Sequence, residues 1–310
     1  MSNVLIIKHG SLGDLIQANG AIQDIKNTFK ESKVLLLTSK AYALFMSECP
    51  YLDGILIDKR LPRWNLVYLL HLKRLLKRYN FTHVFDLQNS SRSNFYQKYL
   101  LTKANWSCTA TSLEAGQTKK DFDQEPVLKR MEVQLNKSGV KTKYTHQVDL
   151  KWSLVDISRM LKQYTSNEYI LIFPFCSKKH KNKKWPYFKK LVNMIKEIYK
   201  NKYSILVAPG PGEENDANNF NAKVILSGSK PVNLNQLITL IYNSKFVISN
   251  DTGPAHICSH LKKEGLVLFG NHTSPKKVSI ETSGFKALQV EELKLLSPEI
   301  VMNEIRKYLD

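Results

Sequence analysis

The sequence predicts an α/β fold in which two parallel sheets are each covered by helices. Short apolar, β-branched runs recur along the 310 residues, and helical patterns separate them. Continuous apolar runs of this length are typical of interior parallel strands, and their alternation with helices indicates βαβ units. The alternation lapses at 103–150 and then restarts. We therefore expect two Rossmann-like domains, at 1–160 and 161–295, and a closing helix at 296–310.

In the first domain, each predicted strand is an apolar run that leads into a helical pattern. The predicted strands lie at 4–8, 34–39, 55–58 and 83–88, and the predicted helices at 15–29, 40–48, 63–79 and 123–139. The helix at 63–79 is rich in leucine and in basic residues. Its leucines are expected to cover the sheet, and the alternative is contact of the helix with an anionic membrane.

The second domain repeats this alternation. The predicted strands lie at 169–175, 203–209, 223–227, 245–250 and 266–269, and the predicted helices at 186–200, 233–244, 255–263 and 297–310. A further helix, followed by a polar stretch, is expected within 152–168. Both domains are large enough to bury their own cores.

The net charge of +19 is the strongest compositional signal. It favours a polyanionic partner, such as nucleic acid, an anionic membrane or a phosphorylated substrate, and lysine that only fills the solvated surface is the competing explanation. The four cysteines form no C-x-x-C pair, which argues against a disulfide framework or a zinc site. The first residues are not expected to be a signal peptide, and no apolar run approaches the roughly 18 residues of a membrane span.

A Gly- and Ser-rich loop, HGSLGD, follows the first predicted strand, in the position where α/β folds bind ligands. It matches neither G-x-G-x-x-G nor the Walker A pattern, which argues against a dinucleotide or P-loop nucleotide site. Asp14 opens the next helix. It is either a catalytic carboxylate or a first-turn acid that interacts favourably with the helix dipole.

Three further loops carry groups that could bind a phosphate or a ribose. ISNDTGPAHI ends a strand and opens a helix on Asp251, Thr252 and Gly253, so it presents a helix N-terminus to an anion. VAPGPGEEN places Glu213 and Glu214 after a strand, where a carboxylate can bind ribose or simply start a helix. The loop FPFCSKKHKNKKWPYF could hold a diphosphate through one or two lysines in or next to it, which are Lys178, Lys179, Lys181, Lys183, Lys184 and, directly after the quoted stretch, Lys189.

Four motifs, in their order and spacing, resemble glycosyltransferase family 9, the ADP-heptose:lipopolysaccharide heptosyltransferases; they are KHGSLGDLIQANGAI, KKWP, ISNDTGPAHI and LFGNHTSP. The resemblance covers nearly the whole chain. It implies the GT-B architecture, with two facing Rossmann-like domains and a C-terminal helix that crosses back onto the first. The first domain would bind the acceptor and the second the nucleotide sugar.

The resemblance also implies roles for individual residues. Asp14 is the expected general base, and Lys183 is expected to hold the donor diphosphate during catalysis. The other implied donor-binding residues are Ser11, Gly13, one of Glu213 and Glu214, Asp251, Thr252, Gly253 and His256; the implied acceptor-binding residues are Lys59, Arg60, Arg63 and Gln88.

The implied reaction is inverting transfer of a heptose, or a related sugar, from an ADP-sugar to an anionic lipopolysaccharide core acceptor, without a metal or other cofactor. The D-x-D pair of Asp121 and Asp123 lies in an irregular segment, so a helix start is favoured over a metal site. A monomer is expected, in the cytoplasm or at the cytoplasmic face of the inner membrane, with no specific nucleic-acid partner. After LFG the family usually has Pro, whereas Asn271 and His272 stand here, which bears on the choice of donor. The alternatives are another nucleotide sugar, a sugar-nucleotide epimerase and a basic nucleic-acid-binding protein.

Overall fold

The computed structural model describes residues 2–177, 179–200 and 202–310. It divides into two compact units, the first ending at Trp152 and the second beginning at Ser153. Trp152 belongs to the first unit because its ring packs on Phe45, with ring centroids 5.1 Å apart. The carbonyl of Ser153 accepts a hydrogen bond from the Asn235 side chain of the second unit at 3.1 Å. The division therefore lies a little before the boundary expected at 160.

The first unit is built on a five-stranded parallel sheet. Its strands are β1 (Asn3–Ile7), β2 (Lys33–Thr38), β3 (Gly54–Ile57), β4 (Phe81–Asp86) and β5 (Asn105–Ser107). Their order is β3-β2-β1-β4-β5. The central strand β1 is buried from Val4 to Ile7, as its continuous apolar run predicts. The edge strand β5 was not predicted because its three residues, Asn-Trp-Ser, contain no apolar run.

Helices connect these strands. They are α1 (Leu12–Thr28), α2 (Lys40–Met46), α3 (Leu66–Lys77), α4 (Ser91–Tyr99), α5 (Thr109–Ser112), α6 (Lys119–Phe122) and α7 (Val127–Lys137). The sequence did not predict α4, whose mostly polar residues give no apolar stripe. A local signal starts this helix instead, because the Ser90 hydroxyl accepts from the backbone N–H of Ser93 at 3.3 Å.

The segment after α7 returns to α1 and closes the first unit. The buried carboxylate of Asp24 accepts from the backbone N–H groups of Lys143, Tyr144 and Thr145 at 2.8–3.0 Å. Gly20, one turn earlier on α1, permits this approach, because a Cβ atom there would lie 2.0 Å from the carbonyl oxygen of Tyr144. One carboxylate and one glycine thus hold residues 143–145 against α1.

The second unit is built on a six-stranded parallel sheet. Its strands are β6 (Tyr169–Phe173), β7 (Ser204–Val207), β8 (Lys223–Val224), β9 (Phe246–Asn250), β10 (Gly265–Phe269) and β11 (Phe285–Gln289). Their order is β11-β10-β9-β6-β7-β8. The central strands β6, β9 and β10 are buried at every residue and were predicted. The edge strand β11 is only partly buried, and its sequence FKALQ was not recognised as a strand.

The helices of the second unit are α8 (Ser158–Leu161), α9 (Phe188–Tyr199), α10 (Glu214–Ala217), α11 (Leu234–Asn243), α12 (Gly253–His260) and α13 (Pro298–Leu309). The helix expected within 152–168 is reduced to the single turn α8. Polar side chains compete for the backbone after it, because the hydroxyl of Thr165 accepts from the N–H of Asn167 at 3.0 Å.

The C-terminal helix α13 packs within the second unit. Its apolar residues Val301, Met302, Ile305 and Leu309 are buried in the same core as α9. The apolar face of α13 is therefore covered by the second unit, and the crossing of this helix onto the first domain stays a prediction.

Candidate active site

The loops that follow β1 and β4 meet at the carboxyl edge of the first sheet. The strand order reverses there, and α/β folds bind ligands at such switch points. The Nζ of Lys8 donates to the carbonyl of Leu87 at 2.8 Å, and the backbone N–H of His9 donates to Oε1 of Gln88 at 2.8 Å. Gln88, one of the predicted acceptor-binding residues, is therefore held against the loop that leads into α1.

Asp14 lies in the first turn of α1, next to buried Gly13. Its Oδ2 accepts from the backbone N–H and the hydroxyl of Ser11 at 3.0 and 2.8 Å. Ser11 precedes the helix as its N-cap, so the pair forms a capping box. Asp14 thus caps the helix, as the alternative interpretation expects, and its side chain is also partly exposed. Its role as a general base stays a prediction.

The loop between β1 and α1 is tightly built. Gly10 has a φ of +120°, and a Cβ atom there would lie 2.4 Å from Cε2 of Tyr42. Only glycine fits this backbone without displacing the tyrosine. Lys8 is buried beneath the loop, and burial lowers the pKa of its ammonium although Asp14 and Asp86 attract the charge. A buried cation therefore lies in the electrostatic field of Asp14.

A buried carboxylate network, which the sequence did not reveal, holds the same loop. Asp58, directly after β3, has its Oδ2 2.8 Å from Nε2 of His9 and accepts from the hydroxyl of Tyr96 at 2.5 Å and from that of Tyr68. Burial raises the pKa of Asp58, but these donors outweigh burial and hold the pKa well below its usual range. The network fixes His9 and, through the backbone, the start of α1. The sequence shows a histidine two residues after β1 and an aspartate directly after β3, but no local pattern pairs them.

The predicted acceptor-binding residues Lys59, Arg60 and Arg63 are exposed in the connection between β3 and α3. Nη1 of Arg63 donates to the carbonyl of Ser91 at 3.3 Å. Arg92, which the sequence analysis did not single out, donates from Nη2 to the carbonyl of Arg60 at 3.2 Å. The connection and the start of α4 therefore form one basic surface.

In the second unit the strand order reverses between β6 and β9. The backbone N–H of Trp185, in the KKWP motif, donates to Oδ1 of Asn250 at 3.1 Å, which joins the loops that follow these two strands. The Trp185 ring is buried, and its Nε1 donates to the carbonyl of Leu296 at 2.8 Å. The basic loop is thereby fixed at the second switch point.

Asp251 is the centre of a charged cluster at this switch point. Its Oδ2 lies 2.6 Å from Nζ of Lys183 and 2.8 Å from Nε2 of His272, and its Oδ1 lies 4.0 Å from Nε2 of His256. Burial raises the pKa of Asp251, but the ammonium of Lys183 and the two histidines outweigh burial and lower it. The carboxylate is therefore ionised near neutral pH and holds the lysine in place.

This arrangement leaves Lys183 able to bind an anion. An ammonium has three N–H donors, of which Asp251 takes one, and the Lys183 side chain is 23% exposed. Thr252 is the N-cap of α12, and Gly253 begins the helix. The N-terminus of a helix attracts anions through its unpaired N–H groups. An oriented cation and a helix N-terminus therefore lie together, as the motif predicts.

His272 was noted in the sequence only as a departure after LFG. Its ring stacks on Phe269, with centroids 5.8 Å apart and planes 9° from parallel, while Nε2 contacts Asp251. The departure thus adds a polar contact to the cluster, and no signal in the sequence pointed to that pairing.

Glu213 and Glu214 lie at the start of α10, and they differ in their surroundings. Oε2 of Glu213 accepts from the backbone N–H of Gly210 at 2.8 Å. Burial raises the pKa of Glu213, and the neighbouring acids Glu214 and Asp216 raise it further, against the Gly210 hydrogen bond. The carboxylate of Glu214 has no hydrogen bond or ion pair within the described part of the chain. Glu213 is therefore the more rigidly placed of the two.

The remaining residues of the basic loop do not join the cluster. The exposed ones are Lys179, Lys181, Lys184 and Lys189, and Lys178 lies outside the described residues.

Of the D-x-D pair, Asp121 accepts from the backbone N–H and hydroxyl of Thr118 and so starts α6, as predicted. Across residues 2–177, 179–200 and 202–310, no group of three or more His, Cys, Asp or Glu side chains is placed to hold a metal ion. In the same ranges, none of the helices combines the length and apolar character needed to cross a bilayer.

Comparison with known proteins identifies relatives along nearly the whole chain. A protein named lipopolysaccharide heptosyltransferase 1, from Campylobacter coli, is 24% identical over 298 residues, which cover 86% of this chain and 83% of that protein. The solved family 9 glycosyltransferase of Veillonella parvula has a TM-score of 0.79 at 13% identity, covering 99% of this chain and 97% of that one. E. coli heptosyltransferase WaaC with ADP-2-deoxy-2-fluoro heptose has a TM-score of 0.72 at 16% identity, covering 98% and 99%.

The two parallel sheets and these solved structures show that the chain has the GT-B fold. The family model described as glycosyltransferase family 9 (heptosyltransferase) matches residues 69–292, which is more than half of the chain. The chain therefore belongs to glycosyltransferase family 9. The predicted family, enzyme class and α/β fold class are confirmed, and the roles of individual residues stay predictions.

Proposed function

We propose that the protein transfers a heptose from ADP-heptose to an anionic lipopolysaccharide core acceptor, with inversion at the transferred carbon and without a metal ion. The observation that carries the proposal is the 2.6 Å pair of Lys183 and Asp251 at the N-terminus of α12, in a chain that belongs to a heptosyltransferase family. The donor is supported by the solved relative that holds an ADP-heptose analogue.

Lys183 and the N-terminal N–H groups of α12 stabilise the diphosphate of the donor. As the bond between the anomeric carbon and the diphosphate oxygen breaks, negative charge grows on the departing ADP. Fixed donors aimed at growing charge are usually the largest contribution to catalysis. Asp251 orients Lys183, and Thr252, Gly253 and His256 complete the loop around the diphosphate.

Glu213 is the residue that binds the ribose of the donor. One of its oxygens is held by the N–H of Gly210 at 2.8 Å, so the carboxylate is already oriented and loses little freedom on binding. A carboxylate at the end of a strand accepts hydrogen bonds from ribose hydroxyls in other nucleotide-binding α/β folds.

Asp14 is the general base. The acceptor oxygen forms its bond to the anomeric carbon on the face opposite to the leaving ADP, and its proton passes to the carboxylate of Asp14. Such proton transfer is typically worth roughly 10²–10⁴ in rate. Ser11 and Gly13 shape the loop that carries Asp14. Lys59, Arg60, Arg63 and Gln88 bind the anionic groups of the acceptor, and the enzyme acts as a monomer in peripheral contact with the cytoplasmic face of the inner membrane.

Calorimetric titration with ADP, UDP, GDP and ADP-heptose, each at low and moderate salt, tests the donor assignment. We expect ADP and ADP-heptose to bind selectively, with an affinity that survives moderate salt because the phosphate site is a fixed cluster. Equal binding of all nucleotides that salt abolishes would mean that the +19 charge only attracts anions. Conversion of ADP-heptose without an acceptor would instead indicate an epimerase.

The substitution Asp14→Asn tests the general base, and the chain supplies a matched control. Asp121 makes the same capping box, with Oδ2 accepting from the N–H and hydroxyl of Thr118 at 3.0 and 2.6 Å. Each substitution removes a carboxylate from the first turn of a helix, so both should lower stability slightly and by similar amounts. We expect Asp14→Asn alone to lower kcat, by about 10²–10⁴, with ADP-heptose binding retained. Equal kcat values for the two variants would remove the general-base role.

A further inference from the structure

We propose that α3 and the residues flanking it form a docking surface for an anionic lipid bilayer. The α3 surface, as defined here, consists of apolar Trp64, Leu66, Val67 and Leu70 and basic Lys73, Arg74, Lys77 and Arg78. The inference names a surface for the membrane contact proposed above, and it depends on the surface alone and not on the donor or the reaction.

The apolar part of the α3 surface is unusually exposed. The exposed fractions are 80% for Trp64, 69% for Leu66, 80% for Val67 and 56% for Leu70. The opposite face of the helix covers the sheet through buried Tyr68, Leu69, Leu72 and Leu76. The predicted role of the leucines as a sheet cover therefore holds for three of them, but Leu70 and Trp64 face solvent. Adjacent exposed apolar side chains, unlike single ones, mark an interaction site.

The apolar surface continues beside the helix. A groove of about 350 Å³ is lined by Val67, Leu72 and Leu75 of α3, by Ile57 at the end of β3 and by Leu61 of the connection between them. Ile57 and Leu61 are themselves 44% and 38% exposed. The surface therefore offers a bilayer both protruding side chains and an apolar recess beside them.

The positive charge of the α3 surface and its surroundings favours an anionic partner. Between residues 59 and 113 the sole acidic residue of the sequence is Asp86, which is fully buried. The basic residues of the same range are Lys59, Arg60, Arg63, Lys73, Arg74, Lys77, Arg78, Arg92, Lys98 and Lys103. A protein partner would need to be both apolar and acidic. Anionic headgroups above acyl chains supply both properties at once.

The spacing along α3 suits this partner. The helix rises about 1.5 Å per residue, so Arg74 lies about 6 Å beyond Leu70 along the axis, and Lys77 about 10 Å beyond. If the start of α3 enters the acyl boundary, these basic side chains reach the phosphates of the headgroups. Trp64 then lies at the boundary itself, where tryptophan is enriched in membrane proteins.

Flotation of the full chain with vesicles of phosphatidylcholine, with and without phosphatidylglycerol, tests the proposal. We expect binding to the anionic vesicles that weakens with salt. The Trp64→Ser/Leu70→Ser variant should lose about tenfold or more of the partition coefficient. The Arg74→Ser/Lys77→Ser variant should lose about tenfold or more on anionic vesicles and nothing on neutral ones. Both changes lie on exposed side chains, so the thermal midpoint should stay unchanged.

Two matched controls come from the second unit. Leu295→Ser removes an apolar side chain that is 68% exposed, and Lys189→Ser/Lys286→Ser removes two exposed lysines. Neither control should change vesicle binding.

The proposal is overturned if the wild-type chain does not bind anionic vesicles or if the controls weaken binding as much as the α3 variants. It is also overturned if Trp64→Ser/Leu70→Ser abolishes self-association in sedimentation velocity while vesicle binding persists, since the surface would then join two copies. Loss of vesicle binding with intact ADP binding separates this proposal from the donor assignment.

Discussion

Replacing Lys183 with methionine removes one charge from the Asp251 cluster and keeps nearly the same side-chain length. The carboxylate of Asp251 is 3% exposed and would lose the ammonium 2.6 Å from its Oδ2. Removal of one partner from a fully buried ion pair costs roughly 3–5 kcal/mol. Lys183 is itself 23% exposed and His272 remains on the same oxygen, so we expect a smaller cost, about 2 kcal/mol. The thermal midpoint of the second unit should fall by about 4–8 °C.

The double variant Lys183→Met/Asp251→Asn separates stability from binding. The buried carboxylate that lost its cation is now a neutral amide, so most of the lost stability should return. Binding of ADP should not return, because the cation for the diphosphate is still missing. Scanning calorimetry measures the first quantity and titration with ADP the second, where we expect Kd to rise about 100-fold in both variants. Wild-type ADP affinity in Lys183→Met would refute the role of the lysine, and wild-type stability in that single variant would refute the electrostatic account of the cluster.

The pH dependence of the same variants follows from the lowered pKa of Asp251. A carboxyl group whose pKa is lower in the folded state stabilises the fold fully above its unfolded pKa, about 4 for Asp. That contribution is lost as the pH falls toward the lower folded value. The stability difference between wild type and Lys183→Met should therefore shrink below about pH 4. If the stability difference between wild type and Lys183→Met instead increases below about pH 4, the lowered pKa of Asp251 is contradicted.

Three further predictions concern other parts of the chain. Glu213→Gln should raise the Kd for ADP about tenfold, and Glu214→Gln should leave this Kd unchanged, as measured by titration. A raised Kd in Glu214→Gln alone would assign the ribose to Glu214. Gly20→Ala should lower the unfolding free energy by about 3 kcal/mol or more, because its Cβ would lie 2.0 Å from the carbonyl oxygen of Tyr144, and a denaturation midpoint equal to wild type would contradict the close approach. Asp58→Asn should cost about 2 kcal/mol at pH 7 and less below pH 4, because the folded pKa of this carboxyl is lowered; an equal cost at both pH values in thermal denaturation would count against the charged network.

The central strands of both sheets could be predicted from the sequence because burial on both faces requires continuous apolar runs. The same reasoning fails at the edges. The strands β5 and β11 are short or only partly buried, so their sequences contain polar residues that resemble loops. The polar helix α4 depends on the serine cap at Ser90 and not on an apolar stripe, and the C-terminal helix α13 has an apolar face whose partner the periodicity does not identify.

The site was predictable in its motifs and not in its pairings. Asp251, Lys183 and Asp14 stand next to strand ends and glycines, which sequence patterns detect. The ion pair of Lys183 and Asp251 spans 68 positions and exists because β6 and β9 are neighbours at the strand-order reversal. His272 and the contact of His9 with Asp58 depend on the same kind of long-range adjacency, so no local pattern could reveal them.

Product analysis of a single reaction mixture tests the central claim most directly. The purified protein is incubated with ADP-heptose and a heptose-free lipopolysaccharide core acceptor, with and without EDTA, and the products are read by mass spectrometry and by the NMR signal of the anomeric proton. We predict an acceptor that gains one heptose, with release of one ADP per transfer, inverted anomeric configuration and the same rate in EDTA. Consumption of ADP-heptose without any heptosylated acceptor, or a product of retained configuration, would contradict the account.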